Sequence, residues 1–455
     1  MKTTKIAIYF LLAAFLITSG FKCGGPPAGL TEGKPSPVTL SYWKVYEDSY
    51  NISELINAYQ KEHPHITIEY KNFTYAEYED ALLNAFAEDR DPDIFSINTT
   101  WMRKYQPKIA PLPATLTIPY QVTRGTIKKE VFTENRSKKT LTLRDIRSLY
   151  PDVVYDNQII DNQIYGLPLS IDTLALFYNR DLLNNAGISA PPTTWDEFNA
   201  DVIKLTKQDT RGNIIQAGAA IGTADNVARS TDILSIIMMQ NSTQMTDATG
   251  RATFNAMPQN LNRQTLPAVE ALNYYNSFAS PATQSYTWNI NMPNSLESFM
   301  NGKTAFYFGY AYNIPTIKTQ APKLNFEIAA CPQIQPSNPI NFANYWAETV
   351  SKKSQHSNEA WDFILFITAN ADNNKIFLSQ SKRPTALRSL ISSQLDDLEL
   401  SAFVGQLLTA KSWYKGKNAI AAEEIFKQMI RDNLQGILPT VQIISLGAQK
   451  INQTY

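Results

Sequence analysis

The chain carries no excess of charge of either sign: 41 Lys and Arg balance 41 Asp and Glu over 455 residues. The net positive field that concentrates nucleic acid is therefore lacking, and no nucleic-acid partner is expected. Cysteine is nearly absent, with Cys23 and Cys331 the whole supply. Histidine is as scarce, at His63, His65 and His356. Nucleophilic catalysis on Ser or Cys usually recruits a histidine base, and zinc hydrolysis recruits paired His or Cys ligands. His63 and His65 flank Pro64 in a turn before a strand, and His356 falls in a polar run, so all three read as surface residues. No Gly-rich phosphate loop and no internal repeat is present. No pair of carboxylates facing one glycosidic bond can be picked out. No catalytic residue, no cofactor and no metal is expected.

A hydrophobic share of 44% with 18% charged residues marks a folded protein. Its length exceeds what one core supports and suits two lobes. Aromatics reach 11%, with 23 Tyr and 7 Trp, more than a core needs if many of them lie beside polar groups.

The first 23 residues form a unit of their own. Lys2 and Lys5 precede an apolar run from Ile6 to Ile17, and Thr18, Ser19 and Gly20 lead to Cys23. The run is shorter than the roughly 20 residues of a membrane span and reads as an export signal. Residues 24–37, rich in Gly and Pro, read as a flexible tether. A cysteine in this setting resembles the lipidation site of bacterial lipoproteins, although Phe21 and Lys22 stand where small residues are usual. The expectation is acylation of Cys23 and anchoring to the outer face of the cytoplasmic membrane. Cys331 reads as a small buried residue.

From Val38 onward, Val38, Leu40 and Tyr42 alternate as a strand, and Asn51 with Glu54 reads as a capping pair for a helix through Tyr59. Ile66, Ile68 and Tyr70 repeat the strand period, residues 76–88 read helical, and Ile94, Phe95 and Ile97 make a short strand. This order implies a mainly parallel sheet covered by helices. Residues 120–150, more polar, read as helical decoration. Farther on, Leu174 to Tyr178 is a strand before a helix ended by Gly187, and Thr194 with Glu197 forms a capping box ahead of Trp195, Phe198, Val202 and Leu205 on one face. A strand from Ala305 to Phe308 follows Gly302, and a helix with Trp361, Ile364, Leu365 and Thr368 starts near Asn358. Trp195 and Trp361 read as core, Trp288 and Trp413 as intermediate.

Several of these segments, in this order, resemble the extracellular solute-binding proteins of family 1, the maltose-binding-like receptors of ABC importers. The most specific are Tyr165-Gly166-Leu167-Pro168, then Tyr178-Asn179-Arg180-Asp181-Leu182-Leu183, the Thr194-Trp195-Asp196-Glu197-Phe198 helix start, and Phe299-Met300-Asn301-Gly302-Lys303-Thr304-Ala305-Phe306. The resemblance implies an α/β, two-lobed periplasmic-binding-protein fold of type II with discontinuous lobes, a hinge and a ligand cleft. It places chain crossings near Asp172, Ala347 and Lys382. The lobes are then 38–171 with 348–381, and 172–347 with 382–455. It also implies a monomer that captures a small solute, above all a carbohydrate, and delivers it to an ABC permease. The competing readings are a secreted carbohydrate-active enzyme and a solute receptor or adhesin without transport.

Ligands of open α/β sheets lie beyond the carboxyl ends of strands, and here those positions are rich in aromatics. Trp43 and Tyr46 follow the first strand, Asn98, Thr99 and Trp101 the Ile94 strand, Tyr310 and Tyr312 the Ala305 strand, and Tyr345 and Trp346 fall at a crossing. Flat rings suit the C–H face of a pyranose, and planar polar groups suit paired hydroxyls. The candidate ligand contacts are Trp43, Glu47, Asn98, Trp101, Asp172, Tyr310, Tyr312, Trp346 and Arg383.

Overall fold

The computed structural model describes residues 29–126 and 129–455. Cys23 and the expected export signal lie outside the described residues. Among the described residues no helix is long and apolar enough to cross a membrane.

Two sheets carry the two halves of the chain. The first has the strand order Leu167–Pro168, Trp346–Ser351, Ile94–Asn98, Val38–Val45, Ile66–Phe73. Val38–Val45 runs parallel to both Ile66–Phe73 and Ile94–Asn98, while Trp346–Ser351 enters antiparallel. Period-two burial explains the first strand: Val38, Leu40 and Tyr42 face the core with at most 7% exposure. The helix Ser49–Glu62 covers it with Ile52, Leu55, Ile56 and Tyr59, spaced as one helical face. That helix starts before the expected Asn51–Glu54 cap. Asp48 is its N-cap residue without a side-chain bond, and Asn51 instead donates to Glu47 Oε1 at 2.6 Å.

The second sheet has the order Lys207–Gln208, Ile214–Ala219, Thr304–Gly309, Ala175–Asn179, Phe326–Ala330 and is largely antiparallel. The expected capping box holds: Thr194 Oγ1 accepts from the Glu197 N–H at 3.2 Å, and Glu197 Oε2 accepts from the Thr194 N–H at 3.2 Å. Trp195, Phe198, Val202 and Leu205 are then buried on one face, as is Trp361 on its own helix. Cys331 is buried, with its Sγ donating to the Leu174 carbonyl at 3.1 Å.

A third, small sheet of Asp172–Thr173, Asn341–Asn344 and Ala410–Lys411 lies where the chain passes between the two halves. The chain leaves the first sheet after Leu167–Pro168, returns through Tyr345 into Trp346–Ser351, and leaves again after the helix Ala371–Ser381 at Lys382.

Three local expectations are corrected. Residues 115–124 and 130–139 form a long antiparallel hairpin, not helical decoration, because Leu116, Ile118 and Phe132 supply a buried strand face. Part of the tether, Leu30–Glu32, pairs with that hairpin, with Leu30 opposite Glu134. His63 and His65 are buried at 2% and 8% exposure, not surface residues. His63 stacks on Tyr59 at 4.4 Å and approaches Asp362 at 3.5 Å, and burial lowers its pKa against the pull of that carboxylate.

Candidate ligand-binding cleft

Strand ends from both sheets converge on a cleft of about 680 Å³, within the range of small-molecule sites. The carboxyl ends of Val38–Val45 and Ile94–Asn98 open onto it from one side. The segment after Thr304–Gly309 and the start of the helix Ser230–Gln240 open onto it from the other.

The first wall is aromatic. Trp101 meets Trp346 edge to face at 5.2 Å, and Tyr75 lies within 6.1 Å of Trp101 and 6.3 Å of Trp346. Tyr46 stacks flat on Tyr75 at 5.8 Å with 5° between the planes, and its ring is 56% exposed. Edge-to-face and stacked pairs hold rings rigidly, so this wall presents preformed apolar faces. Beneath it, Lys44 Nζ is buried against Glu348 Oε1, and Ser96 Oγ donates to Glu348 Oε2 at 2.6 Å.

The second wall is polar. Arg229 Nη2 lies 2.6 Å from Asp232 Oδ2, and the Arg229 guanidinium lies over the Tyr310 ring at 5.7 Å. Tyr312 stacks on Tyr310 at 5.5 Å, and Trp413 Nε1 donates to Ser235 Oγ at 3.0 Å. Glu423, from the helix Ala419–Gln435, pairs with Lys427 at 2.9 Å.

Between the walls, Asn98 Nδ2 donates to Asn344 Oδ1 at 3.0 Å, joining the two halves. Asp172 accepts from the Thr173 N–H at 2.9 Å and the Ala311 N–H at 3.1 Å. Burial pushes its carboxyl up to about 7, in spite of those donors and the Arg383 charge, which act the other way. Arg383 faces Glu47 at 3.7 Å.

Of the nine candidate contacts, Glu47, Asn98, Trp101, Asp172, Tyr312, Trp346 and Arg383 line the cleft. Trp43 and Tyr310 do not. Trp43 is covered by Lys71 and Phe73 at 5.2 and 4.9 Å. Tyr310 is fully buried under Tyr312, with its hydroxyl donating to Asp232 Oδ2 at 2.7 Å. The cleft also recruits Tyr75, Arg229, Asp232, Asn344, Trp413 and Glu423, which are not among the candidates. Arg229 caps a helix and Glu423 lies inside one, so no strand signal precedes them, whereas Tyr75 follows the strand Ile66–Phe73 by two residues. Among the described residues no cluster of three His, Cys, Asp or Glu could hold a metal ion.

Residues 54–397 match the model of the bacterial extracellular solute-binding proteins. The chain belongs to that family. This solute-binding protein is 23% identical over 393 residues to the galactooligosaccharide-binding protein of Bacillus subtilis (strain 168), covering 86% of this chain and 82% of the other. It superposes on the cyclic alpha-maltosyl-1,6-maltose binding protein of Arthrobacter globiformis with a TM-score of 0.72 at 16% identity, over 92% and 99% of the two chains. An ABC substrate-binding protein from Listeria monocytogenes, in complex with cycloalternan, gives 0.68 at 18% identity over 92% and 99%. The fold is the expected two-lobed α/β binding-protein fold.

Proposed function

We propose that this solute-binding protein is the capture component of an ABC importer, closing its two lobes on a neutral oligosaccharide and delivering it intact to a membrane permease. The observation that carries the reading is the pairing of a preformed aromatic wall with a wall of charges that already have partners. Glu47 faces Arg383, Arg229 faces Asp232, Lys44 faces Glu348, and Glu423 faces Lys427. An ionic ligand would leave one of these groups uncompensated, whereas hydroxyls can insert beside a pair without breaking it. The sugars named for the Bacillus, Arthrobacter and Listeria relatives are neutral glycans and support the same class.

The lobes are proposed as 38–171 with 348–381, and 172–347 with 382–455, although Trp346 and Ala347 at the second boundary pair with the first sheet. Trp101, Trp346, Glu47, Asn98, Asp172, Tyr312 and Arg383 are proposed ligand contacts. Acylation of Cys23 would hold a monomer at the outer face of the membrane, and binding without turnover is part of the proposal. Thermal melts against galactooligosaccharides, maltotetraose, mannotriose, cycloalternan and a charged oligogalacturonate test it. A neutral glycan at 100 times its Kd should stabilise the native state by about 2.7 kcal/mol and be recovered unchanged. Stabilisation by the charged glycan alone, or its hydrolysis products in the eluate, refutes the reading.

A further inference from the structure

Backbone strain in this protein is distributed unevenly. Among the described residues, positive φ at non-glycine positions occurs at Tyr46, Asp89, Asp161, Asn162, Arg229, Ser242 and Lys382. Asp, Asn and Ser tolerate this conformation, because a short polar side chain can bond the local backbone. Of the three long or aromatic side chains, Lys382 takes this conformation as the C-cap of the helix Ala371–Ser381, and the other two are at the cleft. Tyr46 and Arg229 line it, and Lys382 immediately precedes the lining residue Arg383. Strain of this kind persists only where the surroundings over-determine it, and it concentrates at ligand clamps.

Tyr46 at φ 63° and Arg229 at φ 60° come from opposite walls. Burial and then Tyr75 raise the pKa of the Tyr46 hydroxyl most, and from across the cleft Tyr312 raises it further while Arg229 lowers it. Arg229 Nε donates to Asp232 Oδ2 at 2.7 Å, and Nη2 and the Tyr310 hydroxyl use that same oxygen. Among the described residues neither Arg229 Nη1 nor Asp232 Oδ1 has a hydrogen-bond partner. A donor and an acceptor are thus fixed side by side, each oriented by the other and the acid held as well by Tyr310 behind the cleft wall.

We infer that Arg229 and Asp232 form one donor–acceptor unit that grips a pair of adjacent hydroxyls on the ligand, while the strained Tyr46 covers the same sugar ring from the opposite wall. The left-handed backbone at both positions aims long side chains into the cleft that an ordinary turn would direct away. Ligand specificity at this end of the cleft is then for a vicinal diol on an unsubstituted ring. The inference rests on the carbohydrate reading above.

The test uses the full mature chain and whichever of the four neutral oligosaccharides stabilises the wild type. Arg229→Lys and Asp232→Asn should each weaken binding by about tenfold or more, since each removes a hydrogen bond to a charged group. The double variant should be little weaker than either alone, as expected of a single unit. Independently, Tyr46→Gly should melt above Tyr46→Ala by about 1–3 °C. This reverses the usual order of these residues, since glycine alone is free of strain at positive φ. Wild-type affinity in Arg229→Lys and Asp232→Asn overturns the diol unit while leaving oligosaccharide capture intact. Tyr46→Ala melting at or above Tyr46→Gly overturns the strained clamp. A wild type that none of the glycans stabilises refutes the carbohydrate reading and the diol unit with it.

Discussion

Arg383 Nε stands 3.7 Å from Glu47 Oε2, so the segment after the helix Ala371–Ser381 is tied to the loop that follows the strand Val38–Val45. Glu47 is fixed on its other side by Asn51 Nδ2 at 2.6 Å, and its carbonyl accepts from the Tyr70 hydroxyl at 2.6 Å. Both side chains are mostly out of water, at 21% and 7% exposure. Arg383→Ala should therefore cost about 1–3 kcal/mol, mainly by leaving a desolvated carboxylate unpaired. Adding Glu47→Gln should recover part of that loss. Urea unfolding of the two single variants and the double variant measures the coupling, and strictly additive losses would show that the pair does not interact.

Asp172 supplies a pH dependence of fixed sign. Its carboxyl titrates near 7 in the folded chain, above the 3.8 of an exposed Asp. The native state then holds a proton that the unfolded chain has lost between these values. This group's contribution is fully present below the unfolded value and is lost as pH rises toward 7. Melting temperature of the unliganded protein should therefore fall from pH 4 to pH 7 by more than in Asp172→Asn, which cannot titrate. Identical profiles for the two proteins would exclude a raised Asp172. If ligand hydroxyls donate to this carboxylate, affinity should rise across the same range.

Under the aromatic wall, Lys44 and Glu348 form an ion pair at 7% and 0% side-chain exposure. Glu348 is further held by Ser96 Oγ at 2.6 Å. Removing one partner leaves a buried charge, so Glu348→Gln should destabilise by about 3–5 kcal/mol. Lys44→Met with Glu348→Leu removes both charges at similar volume and should restore most of that loss. Chemical denaturation midpoints distinguish the cases, and a double variant as unstable as the single one would show that the pair stabilises beyond mutual compensation.

Sequence reading succeeded where a local rule carries the structure. The capping box at Thr194 and the buried stripe Trp195, Phe198, Val202 and Leu205 both follow from short-range patterns. It failed where long-range pairing decides. The strands 115–124 and 130–139 carry charged and polar residues at many positions, so a two-residue period is hard to read, yet each is satisfied by the other. Leu30–Glu32 becomes a strand only because that hairpin offers an edge. His63 and His65 are buried because the same hairpin covers them: Tyr120 approaches His63 at 4.8 Å, and Lys138 pairs with Asp362. Seven of the nine candidates line the cleft, but the side chains brought in by helices, Arg229 above all, have no signature in a single sequence.

Trp43 and Trp346 separate packing from recognition. Both rings are partly buried against the same apolar cluster. Trp346 lines the cleft and touches Trp101, Tyr46 and Tyr75, whereas Trp43 does not line it and is covered by Phe73 and the Lys71 ammonium. Large-to-small replacement of a packed aromatic ring typically costs about 3–5 kcal/mol when fully buried, and less here because both rings keep some exposure. The two variants should thus lose similar, smaller amounts of stability. Their affinities should part: Trp346→Ala should weaken glycan binding by about tenfold or more, the value of a rigid ring on an apolar sugar face, while Trp43→Ala should bind as the wild type does. Calorimetric titration of both variants decides the matter. A Trp43→Ala variant weakened as much as Trp346→Ala would place recognition in the shared apolar cluster and not in the cleft wall.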